Sequence, residues 1–193
     1  VDLPGAGFEA DAAHARDVID AIDGDVVLLG HSYGGAVITE AGAHAAVRHL
    51  VFLCAFAIDE NESCVTAASE EPDVALISHA GRPNLGAAMV HHDDGTSTLT
   101  RAGARACLYS DVDDVTFEWA YAQLRGQRND SLSASPRDAA WRTKPSTYVV
   151  CSEDQGVHPD LQRIMARRCT ETISLPAPGG WRRAWCRRCC SRR

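Results

Sequence analysis

The chain has no apolar stretch long enough to cross a bilayer as a helix, so no membrane partner is expected. It has no basic-then-apolar leader at its start, and no secretory signal is expected there. It is poor in lysine, with Lys144 alone, and its net charge of −7 argues against nucleic-acid binding by the body of the chain. No second cysteine pair and no histidine stand near Cys186-x-x-Cys189, so that pair does not read as a metal or redox site. No metal and no cofactor are expected. Cys54, Cys64, Cys107, Cys151 and Cys169 are scattered through mostly apolar contexts and read as reduced thiols of a cytoplasmic protein. Finally, no histidine follows His158, an absence with consequences for chemistry.

What is present is ordinary globular composition: 193 residues, 45% hydrophobic and 23% charged, enough for one domain with a real core. The most informative stretch is Gly30-His31-Ser32-Tyr33-Gly34-Gly35. It follows the apolar run Val26-Val27-Leu28-Leu29 and precedes the helix-like Ala36–Ala46. Strand, G-x-S-x-G, helix is the layout of a nucleophile elbow, in which a strained turn holds a serine hydroxyl above the sheet. Gly30 and Gly34 are expected to be small to avoid clashes across that turn, and the helix N-terminus favours developing negative charge beside Ser32.

The rest of the pattern supports an α/β class. Ala10–Ile22 repeats apolar residues at Ala15, Val18, Ile19 and Ile22, a helical spacing. Asp25–Leu29 and His49–Ala55 read as strands buried on both faces of a parallel sheet. Val1-Asp2-Leu3-Pro4-Gly5 reads as the end of another strand. From Asp59 to Thr143 an acidic, Gly-rich insertion interrupts the alternation, with His91-His92-Asp93-Asp94-Gly95 as its least ordered point. Within it, Asp113–Arg125 is expected to be a helix with Val115, Trp119, Ala122 and Leu124 on its apolar side. Ser146–Cys151 is a strand, Leu161–Arg168 a helix and Glu171–Leu175 a last short strand.

An acyl-transfer serine needs a base to take its proton and an acid to orient that base. Asp154 stands just past the C-terminus of the 146–151 strand, where catalytic groups gather in such sheets, and Glu153 competes with it.

These motifs resemble the α/β-hydrolase superfamily, and more narrowly the single-domain esterases and hydroxynitrile lyases related to plant methyl-esterases. The resemblance spans nearly all of Val1 to Leu175. It rests on Val1-Asp2-Leu3-Pro4-Gly5-Ala6-Gly7, the Gly30–Gly35 motif, Leu50-Val51-Phe52-Leu53, Leu108-Tyr109 with Trp119, and Ser152-Glu153-Asp154 followed by Pro159 and Leu161-Gln162. It implies a partial α/β-hydrolase fold: a mostly parallel sheet flanked by helices, with residues 1–58 and 144–175 as core, 59–143 as a helical cap and 176–193 as a non-homologous basic tail. It implies Ser32 as nucleophile, Asp154 rather than Glu153 as triad acid and the Tyr33 backbone amide as an oxyanion donor. His31, Tyr109 and Trp119 become candidates for contact with a small-molecule ester, with His31 read chiefly as a packing residue.

The chain departs from that pattern in two places. The family's histidine belongs on the loop after the last strand, where this sequence reads Pro176-Ala177-Pro178-Gly179-Gly180-Trp181. The family's first strands and the loop giving a second oxyanion amide would precede Val1, which would leave Val26–Leu29 as an open sheet edge. His158 is expected to face the helix that follows it rather than to act as base. The arginine-, tryptophan- and cysteine-rich tail reads as a frameshift product or as a basic arm for an anionic partner. The expectation is thus a serine hydrolase of small carboxylic esters, with an inactive fragment or ligand-binding relic as the alternative. Hydroxynitrile lyase chemistry is disfavoured because Lys144 precedes a strand on the side away from the active face.

Overall fold

A computed structural model describes residues 1–69 and 73–179. The elements in chain order are α1 (Phe8–Asp20), β1 (Val26–Ser32), α2 (Gly34–Ala41), β2 (Val47–Ala55), α3 (Cys64–Ala67), β3 (Met89–His91), β4 (Thr96–Leu99), α4 (Arg101–Cys107), α5 (Asp114–Tyr121), β5 (Gln127–Arg128), β6 (Ser146–Cys151), α6 (Pro159–Ala166) and β7 (Glu171–Leu175). β1, β2, β6 and β7 form one parallel sheet in that order. This is the mostly parallel sheet flanked by helices that the sequence pattern leads one to expect.

One face of the sheet carries the main core. Leu50 and Phe52 of β2, with Tyr148 and Val150 of β6, are fully buried against Ile19 of α1, Val37 of α2 and Leu161 and Met165 of α6. Parallel register places Leu29 beside Val51 and Ile173 beside Val149 on the other face. That face is open: Val27 is 63% exposed, Leu29 45% and Ile173 48%. The expectation that β1 is buried on both faces therefore fails, because an apolar run shows that a strand can be covered without showing what covers it. β1 lies at an edge of the described sheet, as expected for Val26–Leu29.

Other differences are local. Residues 1–7 form no strand, α1 ends at Asp20, before Ile22, and α2 stops at Ala41 rather than at Ala46. The segment between β2 and β6 is mixed rather than purely helical, because β3, β4 and β5 form a small antiparallel sheet. His91–Gly95 is the end and turn of its hairpin, with Gly95 at φ 79°. On α5 the buried residues are Phe117 and Ala120, while Val115 is 83% exposed and Trp119 45%. Phe117 packs with Ala104, Tyr109 and Val112, so the neighbours select that side of the helix. Among the described residues, no helix is long and apolar enough to cross a membrane. Trp181, Trp185, Cys186, Cys189 and Cys190, with most of the expected tail, lie outside the described residues.

Candidate active site

β1 ends in a turn that reverses directly into α2. Ser32 adopts φ 51°, the left-handed region that costs a non-glycine residue about 1–2 kcal/mol. Its neighbour Tyr33 is already helical and forms the N-cap of α2, and its carbonyl accepts from Ala36 N at 2.9 Å. The Ser32 carbonyl accepts from Phe56 N at 3.1 Å, which ties the turn to the end of β2.

The glycines divide the work differently from the sequence expectation. A Cβ on Gly30 would overlap the Gly34 carbonyl, and one on Gly35 would lie 2.7 Å from Ala55 Cβ and 2.8 Å from Phe56 N and O. A Cβ on Gly34 meets nothing within 4 Å. Gly30 and Gly35 are the sterically required pair, and Gly34 is not, because β2 and not β1 closes on this side of the helix.

Asp154 sits beyond the end of β6 and is 3% exposed. Its Oδ1 accepts from Gly156 N at 2.8 Å and Val157 N at 3.2 Å, and its Oδ2 accepts from Gln162 Nε2 at 2.8 Å. Its carbonyl accepts from the Arg82 guanidinium. Burial pushes the carboxyl above its usual range, although the Gly156 and Val157 amides, His31 and Arg82 all favour its ionised form. Glu153 is exposed.

The segment after β7 comes back over this acid. A Cβ on Gly179 would overlap the Asp154 carboxyl group, so Gly179 backbone lies directly against it. The Gly179 carbonyl accepts from His31 Nε2 at 2.8 Å and from Cys54 Sγ at 3.5 Å. His31 is thus brought to the acid side of the site by a hydrogen bond. His158 Nδ1 accepts from Asp160 N at 3.1 Å and caps α6, in line with its expected direction. Burial and the nearby Arg82 charge lower its basicity further.

Tyr33 points its side chain away from this chemistry. Its hydroxyl donates to Asp11 Oδ2 at 2.9 Å, and Asp11, fully buried, also accepts from Gly5 N at 2.8 Å. Burial and the Asp11 carboxyl push the phenol well above its ordinary range. Tyr109 is buried in the small cluster formed by α4 and α5, with its ring 5.9 Å from that of Phe117, whereas Trp119 is half-exposed on α5. An open cleft of about 590 Å³ lies at the start of α1, lined by Gly7, Phe8, Arg16, Glu40, Asp130 and Arg137 among others; Ser32, Asp154, Tyr109 and Trp119 do not line it. Sequence reading missed Arg82 as a partner of Asp154, and it missed the role of Gln162. The one available signal was a glutamine on the side of α6 that also buries Leu161, Met165 and Ala166.

Residues 1–180 match the alpha/beta hydrolase family. The chain belongs to that family. An alpha/beta hydrolase of Aspergillus novofumigatus is 31% identical over 155 residues, covering 75% of this chain and 57% of the fungal protein. The chain therefore spans just over half the length of that relative. A carbendazim hydrolyzing esterase of a Nocardioides species is 45% identical over 56 residues, 26% of this chain and 23% of that protein. Among solved structures, a pyrethroid hydrolase from Sphingobium faniae superposes with a TM-score of 0.70 at 19% identity, covering 91% of this chain and 71% of its own. A methylesterase from Arabidopsis gives 0.67 at 15% identity, covering 93% and 77%. These likenesses establish the hydrolase fold.

Proposed function

We propose that this chain carries the Ser32, Tyr33 and Asp154 part of a serine esterase site for small carboxylic esters. The observation that carries the proposal is Ser32 at φ 51° on a strand-to-helix turn, with a buried, hydrogen-bonded carboxylate beyond the end of β6 in the same sheet. In this reading the Ser32 turn is a nucleophile elbow. Ser32 Oγ attacks the ester carbonyl, the Tyr33 amide donates to the oxyanion, the alcohol leaves, and water releases the acid from the acyl-enzyme. Asp154 orients and stabilises the base that takes the serine proton. The kinship with hydrolases that include an esterase supports ester chemistry.

The base is the part that this sequence does not supply at the expected place. His158 is committed to capping α6, and His31 donates to Gly179. Loss of one triad member costs several orders of magnitude in kcat. A second reading, an inert or ligand-binding site, is favoured by the partners that hold the Asp154 carboxylate among the described residues, which include two backbone amides and a glutamine. Labelling with a fluorophosphonate and hydrolysis of p-nitrophenyl acetate test the two readings, with Ser32→Ala as control. Ser32-dependent labelling or turnover supports the esterase. Absence of both, together with saturable binding of an apolar ligand, supports the second reading.

A further inference from the structure

The buried polar groups around Asp154 include one that the proposed chemistry does not use. Gln162 is fully buried in the middle of α6, and each of its side-chain atoms is engaged. Its Oε1 accepts from Cys151 N at 2.8 Å. Its Nε2 donates to Val157 O and to Asp154 Oδ2, both at 2.8 Å. The Cys151 amide can only donate, so the glutamine is locked in one orientation: a flipped amide would set donor against donor at Cys151 and acceptor against acceptor at Asp154 and Val157. An ionised carboxylate offers about four lone-pair directions. Gly156 N and Val157 N fill both on Oδ1, and Gln162 fills one on Oδ2. The Cys54 thiol also faces this carboxylate, and the Gly179 backbone lies directly against it.

We propose that Gln162 is a positioning residue for Asp154, fixing which oxygen and which lone pair the carboxylate presents and holding it in its ionised form. The proposal rests on the reading of Asp154 as the acid of the site. It explains a buried glutamine on an apolar helical face, where leucine or methionine would pack without needing three partners. The charged and titratable groups facing Asp154 come from several elements: His31 of β1, Cys54 of β2, Cys107 of α4, Cys151 of β6 and Arg82 of the segment between α3 and β3. Of these, His31 and Arg82 favour the anion through charge and the Cys54 thiol faces it within hydrogen-bonding reach, while Gln162 donates directly to Oδ2 at 2.8 Å.

The test is an NMR titration. In the wild-type chain the Gln162 side-chain amide signals should move with pH at the same midpoint as the Asp154 carboxyl carbon, and Asp154→Asn should abolish that movement. In Gln162→Met, which keeps the length but removes the donor, the Asp154 midpoint should rise by about one unit or more, the worth of a hydrogen bond to a charged group. In Gln162→Glu, which keeps an acceptor for Cys151 N, two carboxyls share the site and should titrate in two separated steps. A purely structural glutamine would lower the melting temperature of Gln162→Met without moving the Asp154 midpoint. That result, or wild-type Gln162 amide signals indifferent to the ionisation of Asp154, overturns the proposal. Fluorophosphonate labelling of Ser32 in the same samples keeps the two ideas apart. A chain that fails to label but shows the titration behaviour loses the esterase reading and keeps the positioning role.

Discussion

Gly34 and Gly35 are adjacent and identical in the sequence, yet alanine should act on them in opposite directions. At Gly35 the new methyl would stand 2.7 Å from Ala55 Cβ and 2.8 Å from both Phe56 N and Phe56 O. Carbon pairs are most stable at about 3.5–4.0 Å, so the methyl is most of an ångström too close on two sides. The obstacles are the Ala55 methyl, fixed directly to the main chain, and Phe56 backbone atoms just past the end of β2, and none of them can swing aside as a longer side chain can. Overpacking of this kind costs about 1–3 kcal/mol, against which alanine recovers up to about 1 kcal/mol of helix propensity in α2. The net expectation is a loss of about 1–2 kcal/mol. At Gly34 the methyl meets nothing within 4 Å, and only the propensity gain remains, so stability should rise by up to about 1 kcal/mol. Urea denaturation followed by circular dichroism measures both variants against wild type. Equal losses at the two positions, or a larger loss at Gly34, would refute the argument that β2 rather than β1 sets the clearance of this turn.

The remaining expectations concern buried polar groups. Because burial raises the Asp154 carboxyl above its ordinary value near 3.8, the folded state holds that proton more tightly than the unfolded chain. The stability it contributes is present below that value and is lost as pH rises through the folded midpoint. The melting temperature of Asp154→Asn relative to wild type should therefore climb with pH across that window, and parallel curves would count against it. Tyr33→Phe takes a donor from the fully buried Asp11, which keeps its bond from Gly5 N, and should cost about 1.5–3 kcal/mol by denaturant melt. An unchanged midpoint would mean that the Tyr33–Asp11 bond contributes nothing net.

The legible parts of the chain were those whose physics is local. The apolar runs at Val47–Ala55 and Ser146–Cys151 announce strands, and the Gly-rich turn between an apolar strand and a small-residue helix announces the Ser32 backbone. What was not legible depends on which neighbour arrives. On α5, Val115 and Trp119 share one side and Phe117 and Ala120 another, and helical spacing serves either; Ala104, Tyr109 and Val112 choose the second. The hairpin at Met89–Leu99 has strands of three and four residues, too short for an alternating pattern to stand out from a polar loop. Gln162 enters the sequence reading only as part of the motif that follows Asp154, with nothing to show what it binds, and its partners lie in the loop before its helix and at the end of β6.

The strained turn at Ser32 is held from outside the motif that encodes it. β1 and β2 lose register between His31 and Ser32, so that Ser32 pairs with Ala55 and Cys54 is left over in a left-handed conformation at φ 38°. A bulge of this kind bends the strand and re-aims the residues beyond it. Here it brings Phe56 N to the Ser32 carbonyl and Ala55 under Gly35. Ala55 is itself fixed, because the buried Tyr148 hydroxyl of β6 donates to its carbonyl at 2.6 Å. Three residues further along β6, Cys151 binds Gln162, which binds Asp154. Strain of about 1–2 kcal/mol at Ser32 persists only because such contacts over-determine it. The same strand, β6, thus braces the serine turn through Tyr148 and the acid through Cys151. Serine and carboxylate are placed relative to one another by the sheet, Ser32 as the last residue of β1 and Asp154 just beyond the end of β6.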